Sequence, residues 1–307
     1  MPKDSAKSVC VVGSVALDSL ETPHGNAPDV LGGACSYFAV AANFFAPVNL
    51  VGVVGSDFPE EERRFLVETG INIEGLEEAE GKTFRWHGRY HENMNVRDTL
   101  SVALNVFEQF NPKLPESYRG SEFVFLANIQ PTLQANVLSQ LLSPQYVGAD
   151  TMDYWIQSAP EELKTLLSQV DMLSINDSEA LQLSGEGNIV KAARKILAMG
   201  PRHLIVKRGE YGALQFSADE IFAVPAFPLE EVIDPTGAGD SFAGGMIGSL
   251  AEEGEVTSRT LRRAIVYGTV VASFTVENFG LDRLKSLTRE EIDRRFKQFM
   301  AITDFQS

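Results

Sequence analysis

The sequence predicts an α/β fold in three layers, in which helices cover a mostly parallel central sheet and a small β-lid is added. Three observations predict it. From about residue 123 onward, apolar strand-like runs alternate with segments of helical periodicity. Residues 234–242 form a glycine-rich turn that leads directly into a helix, and residues 83–91 alternate between two kinds of side chain. Open α/β folds of about this length often form one body, so we expect a single domain over residues 1–307.

The N-terminal apolar run at residues 9–17 predicts a buried strand that ends at Asp18. The run is too short, and too interrupted by a Gly-Ser pair, to be a signal peptide or a membrane span. The two cysteines, Cys10 and Cys35, are too few for a disulfide framework or a cysteine zinc site. We therefore expect a reduced, cytoplasmic protein.

The composition limits the partners of the protein. Hydrophobic residues make up 44% of the chain, which is ample for a buried core. The formal net charge is −16 and the isoelectric point is about 4.7. Nucleic acids and anionic membranes require a basic surface, so we expect neither as a partner. An anionic nucleotide would have to be held by local donors.

The second half of the chain has the rhythm of βαβ units. Four apolar runs predict strands of a parallel sheet, at residues 123–126, 146–149, 172–175 and 203–207. Three intervening segments predict helices, at residues 133–142, 160–170 and 189–199. In such sheets, ligands bind beyond the carboxyl ends of the strands. The polar residues that follow the runs are Asp153, Asn176, Lys207 and Asp234.

Residues 83–91 predict a strand with one aromatic and one basic face. The aromatic side chains are Phe84, Trp86 and Tyr90, and the basic side chains include Arg85, His87 and Arg89. Two interpretations stay open, namely a half-buried strand with a solvated face and a part of a small β-lid. His87 and His91 suggest zinc, but a third ligand is not found nearby in the sequence, so we do not expect a metal there.

Residues 75–83 (GLEEAEGKT) are similar to a phosphate-binding Walker loop, but two features argue against that interpretation. The spacer after the first glycine is one residue too long, and three glutamates in the loop would repel phosphate. The predicted phosphate site is therefore the turn at Gly237.

The turn at residues 234–242 (DPTGAGDSF) combines an anion site with an acid. The small residues Gly237, Ala238 and Gly239 let the backbone approach an anion closely, and the free N–H groups of the new helix favour a phosphate. Asp240, in the first turn of that helix, could accept a proton from an attacking hydroxyl. The local chemistry indicates phosphoryl transfer to an alcohol. The alternative is a plain strand-to-helix connection.

The order of these nine residues resembles the C-terminal signature of the PfkB (ribokinase-like) family of carbohydrate kinases, and the resemblance covers about residues 8–300. It implies a ribokinase-like fold, ATP as co-substrate, Mg²⁺, and transfer of the γ-phosphate to a hydroxyl of a sugar-like acceptor. Asp240 would be the catalytic base, and the turn from Gly237 to Gly239 would form the anion hole.

The same resemblance implies a lid made from segments at about 17–30 and 83–107, which closes over the acceptor and often pairs between subunits. We therefore expect a homodimer that forms through this lid. Two other functions stay open. The first is a nucleoside kinase of the same fold, and the second is a non-catalytic module that senses a sugar or a nucleotide.

The resemblance assigns six residues to the acceptor: Asp18, Gly32, Gly33, Tyr37, Asn128 and Gln130. Asp18 is suited to this role because a carboxylate can accept two hydroxyl protons at once. The chain departs from the family at Tyr37 and Ala16, since typical ribose kinases have Asn at both positions. This departure makes plain ribose a less attractive acceptor and favours a larger or less polar one.

The resemblance assigns two further motifs to the nucleotide. Asn176 and Glu179, three residues apart, would organise Mg²⁺ and phosphate largely through water, although the same spacing describes a helix capping box. Lys207, Gly209 and Gly212 lie in the turn that contacts the nucleotide. Lys207 replaces the common threonine, and it could pair with a phosphate or be a solvated residue.

The region 267–280 resembles the helix and loop on the adenine side of the family's site, with Thr269 as a nucleotide contact. Most of its apolar residues are also expected to pack in the core. Asp234 and Thr236 lie where potassium-dependent members of the family hold the ion. The sequence therefore predicts a kinase with a well-defined chemical step and an undefined acceptor.

Overall fold

The computed structural model describes residues 6–304, so residues 1–5 and 305–307 of the expected domain lie outside the described residues. The strands are β1 (Val9–Val12), β2 (Ala16–Thr22), β3 (Gly25–Gly32), β4 (Val48–Gly55), β5 (Asn72–Ala79), β6 (Phe84–Tyr90), β7 (Arg97–Ala103), β8 (Phe123–Leu126), β9 (Tyr146–Asp150), β10 (Met172–Asn176), β11 (His203–Lys207), β12 (Ala213–Phe216) and β13 (Ile221–Val224). The helices are α1 (Ala34–Asn43), α2 (Glu60–Glu68), α3 (Pro131–Gln140), α4 (Asp153–Ser158), α5 (Pro160–Leu167), α6 (Asp177–Ser184), α7 (Ile189–Leu197), α8 (Ala238–Glu253), α9 (Ser258–Thr275), α10 (Asp282–Ser286) and α11 (Arg289–Thr303).

Nine strands form the main sheet in the order β13-β12-β11-β10-β9-β8-β1-β4-β5. All neighbours from β11 to β5 pair in parallel, and only β12 and β13 are antiparallel. The prediction of a mostly parallel sheet is confirmed. The four predicted runs are β8 to β11, and each strand begins at the residue predicted. The three predicted helices are α3, α5 and α7, with ends that differ by two or three residues.

The core lies on both faces of the main sheet. In β1, Val9 and Val11 belong to an apolar cluster on one face, whereas Cys10 and Val12 belong to a second cluster on the other. Each of the four residues has an exposed fraction of 0%. A strand covered on both faces must be apolar at every position, which explains the continuous run in the sequence. The three-layer prediction is confirmed.

The prediction of one strand over residues 9–17 is wrong. The chain leaves the main sheet at Gly13, where a Cβ atom would lie 2.8 Å from the Cβ of Ala127. Ser14 then accepts a hydrogen bond from the backbone N–H of Ala34, at 3.1 Å, and the chain continues as β2 in another sheet. Asp18 therefore lies within β2, not at the end of the opening strand. The Gly-Ser pair marks the change of sheet.

The second sheet has the strand order β3-β2-β6-β7 and contains most of the segments 17–30 and 83–107. Its basic face is paired with acidic residues. Arg85 pairs with Asp29 and Asp57, and Glu21 accepts hydrogen bonds from Arg89 and from the ring of His87. This face is the charged, solvated one, so the aromatic side chains of β6 lie on the face toward the body of the protein.

The remaining sequence expectations concern metals, thiols and membranes. Within residues 6–304, the structure has no group of three or more His, Cys, Asp or Glu side chains arranged to hold a metal. His91 pairs instead with Asp98, at 2.9 Å. Cys10 and Cys35 are free and buried, and burial raises the pKa of Cys10 to about 12. No helix in the described part of the chain is long and apolar enough to cross a bilayer.

Candidate active site

The site lies along the carboxyl edge of the main sheet. Adjacent strands β11, β10 and β9 end at Lys207, Asn176 and Asp150, and Asn128 follows β8. Neighbouring strands are about 4.8 Å apart, so these side chains form a row. The row runs from the Gly209 turn, which follows β11, to the N-terminus of α1, which begins after Gly33. The other turn, at Gly237 to Gly239, is called the glycine turn.

The glycine turn before α8 has the conformation that its sequence requires. Gly237 caps α8 with a φ of +72°, and a Cβ atom there would overlap the ring of Tyr37, which packs beneath the turn. Asp234 holds the turn from the other side, because its two carboxylate oxygens accept the N–H groups of Thr236 and Gly280, both at 2.9 Å. The turn is therefore fixed by packing and by hydrogen bonds.

Asp240 lies in the first turn of α8 among both anions and cations. Burial, reinforced by the carboxylate of Asp150, raises the pKa of Asp240 to about 7. The cations of Lys207 and Arg97 act in the opposite direction. A carboxylate with a pKa near neutrality can both take up and release a proton at physiological pH.

Lys207 lies between Asp150 and the glycine turn. Its Nζ is 3.0 Å from Oδ2 of Asp150, and it is 3.3 Å from the position that a Cβ on Gly239 would occupy. Only 19% of the lysine side chain and 7% of the aspartate side chain are exposed. Burial lowers the pKa of Lys207, but the charges of Asp150, Glu179 and Asp240 raise it above its usual value. Lys207 is thus a buried ammonium group between Asp150 and Gly239, and not a solvated residue.

Asn176 and Glu179 form the capping box that their spacing allowed. Oδ1 of Asn176 accepts the N–H of Glu179 at 2.8 Å, and Oε2 of Glu179 accepts the N–H of Asn176 at 2.9 Å. Burial, followed by the charge of Asp150, raises the pKa of Glu179 to about 7. The motif therefore has a structural role, and it also holds a carboxylate beside Asp150.

Sequence reasoning missed Asp150 and Arg97. It singled out Asp153, which lies at the start of α4 and accepts a hydrogen bond from the N–H of Tyr154. Asp150, which ends β9, follows the predicted run directly, and this position was a usable signal. Arg97 starts β7, far from Asp240 in sequence, so only the fold of the second sheet could reveal that its charge acts there.

The acceptor residues predicted at the N-terminal end come together around Asp18. A Cβ atom on Gly32 would overlap the carboxylate of Asp18. Gly33 has a φ of +87°, and a Cβ atom there would overlap the carbonyl of Ser14. The pKa of Asp18 is raised to about 7, mainly by burial and also by the charges of Asp234 and Asp240, while a hydrogen bond from Gly33 acts in the opposite direction. The glycine pair thus allows the buried carboxylate to approach the start of α1.

Tyr37 and Ala16 are buried, with exposed fractions of 1% and 0%. The phenol oxygen of Tyr37 has no hydrogen-bond partner within residues 6–304. Burial raises the pKa of this phenol well above its usual value, and the nearby Asp234 and Asp18 reinforce the rise. The departure from Asn at position 37 therefore supplies a ring that supports the glycine turn.

The other two predicted acceptor residues, Asn128 and Gln130, lie in different surroundings. Oδ1 of Asn128 accepts the indole N–H of Trp155 at 3.1 Å, and its Nδ2 lies 3.0 Å from the sulfur of Met152. Asn128 is thus held toward α4. Gln130 is exposed before α3, where its carbonyl accepts backbone N–H groups of that helix.

A cavity of about 460 Å³ lies beside the glycine turn. Four residues that were predicted to contact the nucleotide line it: Lys207, Gly209, Gly212 and Thr269. Ala238 and Gly239 also line it, whereas Asn176 does not. The hydroxyl of Thr269 donates to the carbonyl of Ile265 at 3.0 Å, so its methyl group is the part available to a ligand. The cavity therefore joins the residues that were predicted to contact the nucleotide to the turn that was predicted to bind an anion.

Residues 7–286 match the pfkB family of carbohydrate kinases. The chain belongs to this family. It is therefore a phosphotransferase that uses an alcohol group of a sugar or nucleoside as acceptor. The sequence is 30% identical over 276 residues to a cytidine kinase from Thermococcus kodakarensis, and the match covers 88% of this chain and 96% of that protein.

Solved structures confirm the fold of this pfkB-family chain. The crystal structure of the Methanocaldococcus jannaschii nucleoside kinase superposes with a TM-score of 0.76 at 23% identity, covering 95% of this chain and 98% of that one. A putative ribokinase II from E. coli, in complex with ATP and Mg²⁺, gives a TM-score of 0.77 at 20% identity, covering 95% and 99% of the two chains. The prediction of a ribokinase-like fold is confirmed.

Proposed function

We propose that the protein transfers the γ-phosphate of ATP to the hydroxymethyl group of a nucleoside. The observation that carries this choice of acceptor is the pairing of Asp18 with Trp86 across β2 and β6. Residues in register on adjacent strands share a face of the sheet, so Trp86 and Asp18 lie on the same face, where the indole extends over Gly88. A carboxylate for ribose hydroxyls next to a flat apolar wall suits a sugar that carries a base. The similarity to a cytidine kinase supports the same class.

Asp240 acts as the general base in this proposal. It takes the proton of the acceptor hydroxyl while that oxygen attacks the γ-phosphorus, and its pKa near 7 suits this task at neutral pH. The backbone N–H groups of Ala238 and Gly239, at the start of α8, and the ammonium of Lys207 stabilise the negative charge on the transferring group.

Mg²⁺ fits the carboxylates at the ends of β9 and β10. Asp150 and Glu179 are close enough for their charges to interact, and burial together with the charge of Asp150 raises the pKa of Glu179 to about 7, so a nearby cation would favour its ionised form. Glu179, with Asn176, would hold the ion largely through water, since magnesium keeps several waters beside sparse carboxylates. The ion would neutralise the phosphate oxygens of ATP. Asp234 and Thr236, which also make hydrogen bonds within the protein, would be ligands of a potassium ion.

We infer that residues 1–307 form one kinase domain and that the second sheet is its lid. A lid excludes water, which would otherwise compete with the acceptor for ATP. All seven residues of β7 are exposed at the edge of this sheet, among them Leu100 and Val102, with exposed fractions of 40% and 52%. An exposed edge strand with apolar side chains can pair with another chain, so the proposal includes a homodimer through β7.

The acceptor is tested by measuring ATP consumption with a panel of nucleosides, free sugars, sugar acids and polyols. We expect the highest kcat/KM for a nucleoside, and loss of turnover in Asp240→Asn with the same acceptor. A higher kcat/KM for a free sugar or a polyol would overturn the choice of acceptor and leave a sugar kinase. Tight binding of an acceptor without any turnover would instead indicate a sensing module.

A further inference from the structure

The hairpin between β6 and β7, residues 91–96, reaches the nucleotide cavity. Met94 and Asn95 line this cavity together with the turn at Gly209. Oδ1 of Asn95 lies so near this turn that a Cβ atom on Gly209 would be 2.7 Å from it. The second sheet, which carries Asp18, therefore also contributes side chains to the opposite end of the cleft.

The tip of the hairpin has a defined conformation. Oδ1 of Asn93 accepts the N–H of Asn95 at 3.0 Å, and the carbonyl of Asn93 accepts the N–H of Val96 at 2.8 Å. The carbonyl of Val96 accepts the N–H of His91 at 3.1 Å and closes the turn. An Asx turn of this kind fixes the direction of the residue that follows it, so Asn95 is directed and not randomly placed.

The base of the hairpin contacts the catalytic turn. Thr236 donates a hydrogen bond from its hydroxyl to the hydroxyl of Tyr90, at 3.1 Å, and Arg97 lies opposite Tyr90 in the pairing of β6 with β7. The hairpin is thus held at the anion site on one side and at the Gly209 turn on the other. A ligand in the cavity would lie beneath it.

We propose that Asn95 is a nucleotide-binding residue supplied by the second sheet, and that its amide group hydrogen-bonds the bound nucleoside triphosphate above the Gly209 turn. This inference rests on the proposed use of ATP as the phosphate donor. It has a consequence for the acceptor. Because Asp18 lies in the same sheet, nucleotide binding stabilises the position of the sheet that the acceptor needs, and by reciprocity the acceptor tightens nucleotide binding.

Nucleotide binding to the full chain without acceptor tests the inference directly. The probe is the magnesium complex of adenosine 5′-(β,γ-imido)triphosphate, measured by calorimetry. We expect Asn95→Ala to raise its Kd about threefold to tenfold, the range for one lost hydrogen bond. Asn95→Asp keeps the size of the side chain but places a negative charge beside the phosphates, so the increase is larger. Glu92→Gln, an exposed change on the same hairpin that does not line the cavity, leaves Kd unchanged.

Hydrogen exchange gives a second readout that loss of folding would not imitate. In the wild type, the probe slows exchange in the peptide that covers residues 91–97, and in Asn95→Ala this protection is reduced while that of the α8 peptide persists. Equal Kd values for wild type and Asn95→Ala, or unchanged exchange in the hairpin, overturn the inference and leave the proposed function intact. Absence of probe binding to the wild type overturns the nucleotide site itself.

Discussion

The two ends of the cleft each hold a carboxylate whose pKa is raised to about 7, but their surroundings differ. Asp240 lies in the first turn of α8, after a turn held by Tyr37 and Asp234, and the cations of Lys207 and Arg97 act on it. Asp18 lies in the second sheet, where the charges that act on it come from Asp234 and Asp240. Cations offset part of the effect of burial at Asp240, whereas at Asp18 the offsetting contribution is a hydrogen bond from Gly33. In the proposed function these are the catalytic end and the acceptor end, and they reach a similar pKa through different surroundings.

The largest expected effect is the contrast between the two carboxylates. Asp240→Asn should lower kcat by about 10²–10⁴ with little change in nucleotide Kd, because a positioned general base is lost. Asp18→Asn should mainly raise the KM of the acceptor, by roughly 10-fold to 150-fold, because hydrogen bonds to a charged group are lost. Steady-state kinetics with both substrates varied separates the two. Equal effects of the two variants on kcat would contradict the assignment of Asp240 to the chemical step and of Asp18 to acceptor binding.

A second comparison uses one glycine from each end. Gly237 and Gly33 have φ values of +72° and +87°, and a Cβ atom would overlap the ring of Tyr37 or the carbonyl of Ser14. Gly237→Ala and Gly33→Ala should each lower the free energy of unfolding by about 1–3 kcal/mol, measured by urea denaturation. Gly239→Ala is the control, because the nearest atom to its Cβ is the flexible Nζ of Lys207 at 3.3 Å. A control as destabilised as the other two would refute the explanation by backbone conformation.

The sequence predicted the main sheet well because the strands at its centre are buried on both faces and must be apolar throughout. It also predicted the turn from Gly237 to Asp240, since the positive φ of Gly237 and its close packing on Tyr37 restrict the residue types there. The second sheet was predicted only in outline. Its start at Ala16 continues an apolar run that belongs to the main sheet, and the Gly-Ser pair that marks the change of sheet was interpreted only as an interruption of that run.

Sequence reasoning missed Arg97 and Asn95 because their contacts join segments that are distant in the sequence. The charge of Arg97 reaches Asp240 only because β7 folds back on β6, and Asn95 reaches Gly209 only through the hairpin between these strands. Tyr37 was predicted as an acceptor residue from its place in a motif, and only the fold shows that its ring also packs beneath Gly237. Contacts between distant segments depend on how the two sheets pack, and a single sequence does not encode that packing in any local pattern.

The pH dependence of kcat tests whether the cation of Lys207 influences the ionisation of Asp240. Asp240 must be ionised to accept a proton, and its pKa is about 7, so kcat should fall as the pH is lowered through 7. Lys207→Met removes a cation that favours the ionised form, so the acid limb should move to higher pH. Lys195→Met removes an exposed lysine that pairs with Glu186, and it should leave the limb in place. An acid limb at the same pH in Lys207→Met and the wild type would show that Lys207 does not affect the ionisation of Asp240.

The smallest expected effect is on thermal stability. The folded-state pKa of Asp18, about 7, lies above the usual value of about 3.9, so ionisation of Asp18 destabilises the fold as the pH rises from about 4 to 7. Asp18→Asn does not ionise, and it should raise Tm by a few degrees at pH 8 and by less at pH 5. Asp240→Asn should show the same dependence, because burial is the main cause at both sites. A gain at only one of the two positions would show that the ends differ in burial as well as in their charged neighbours.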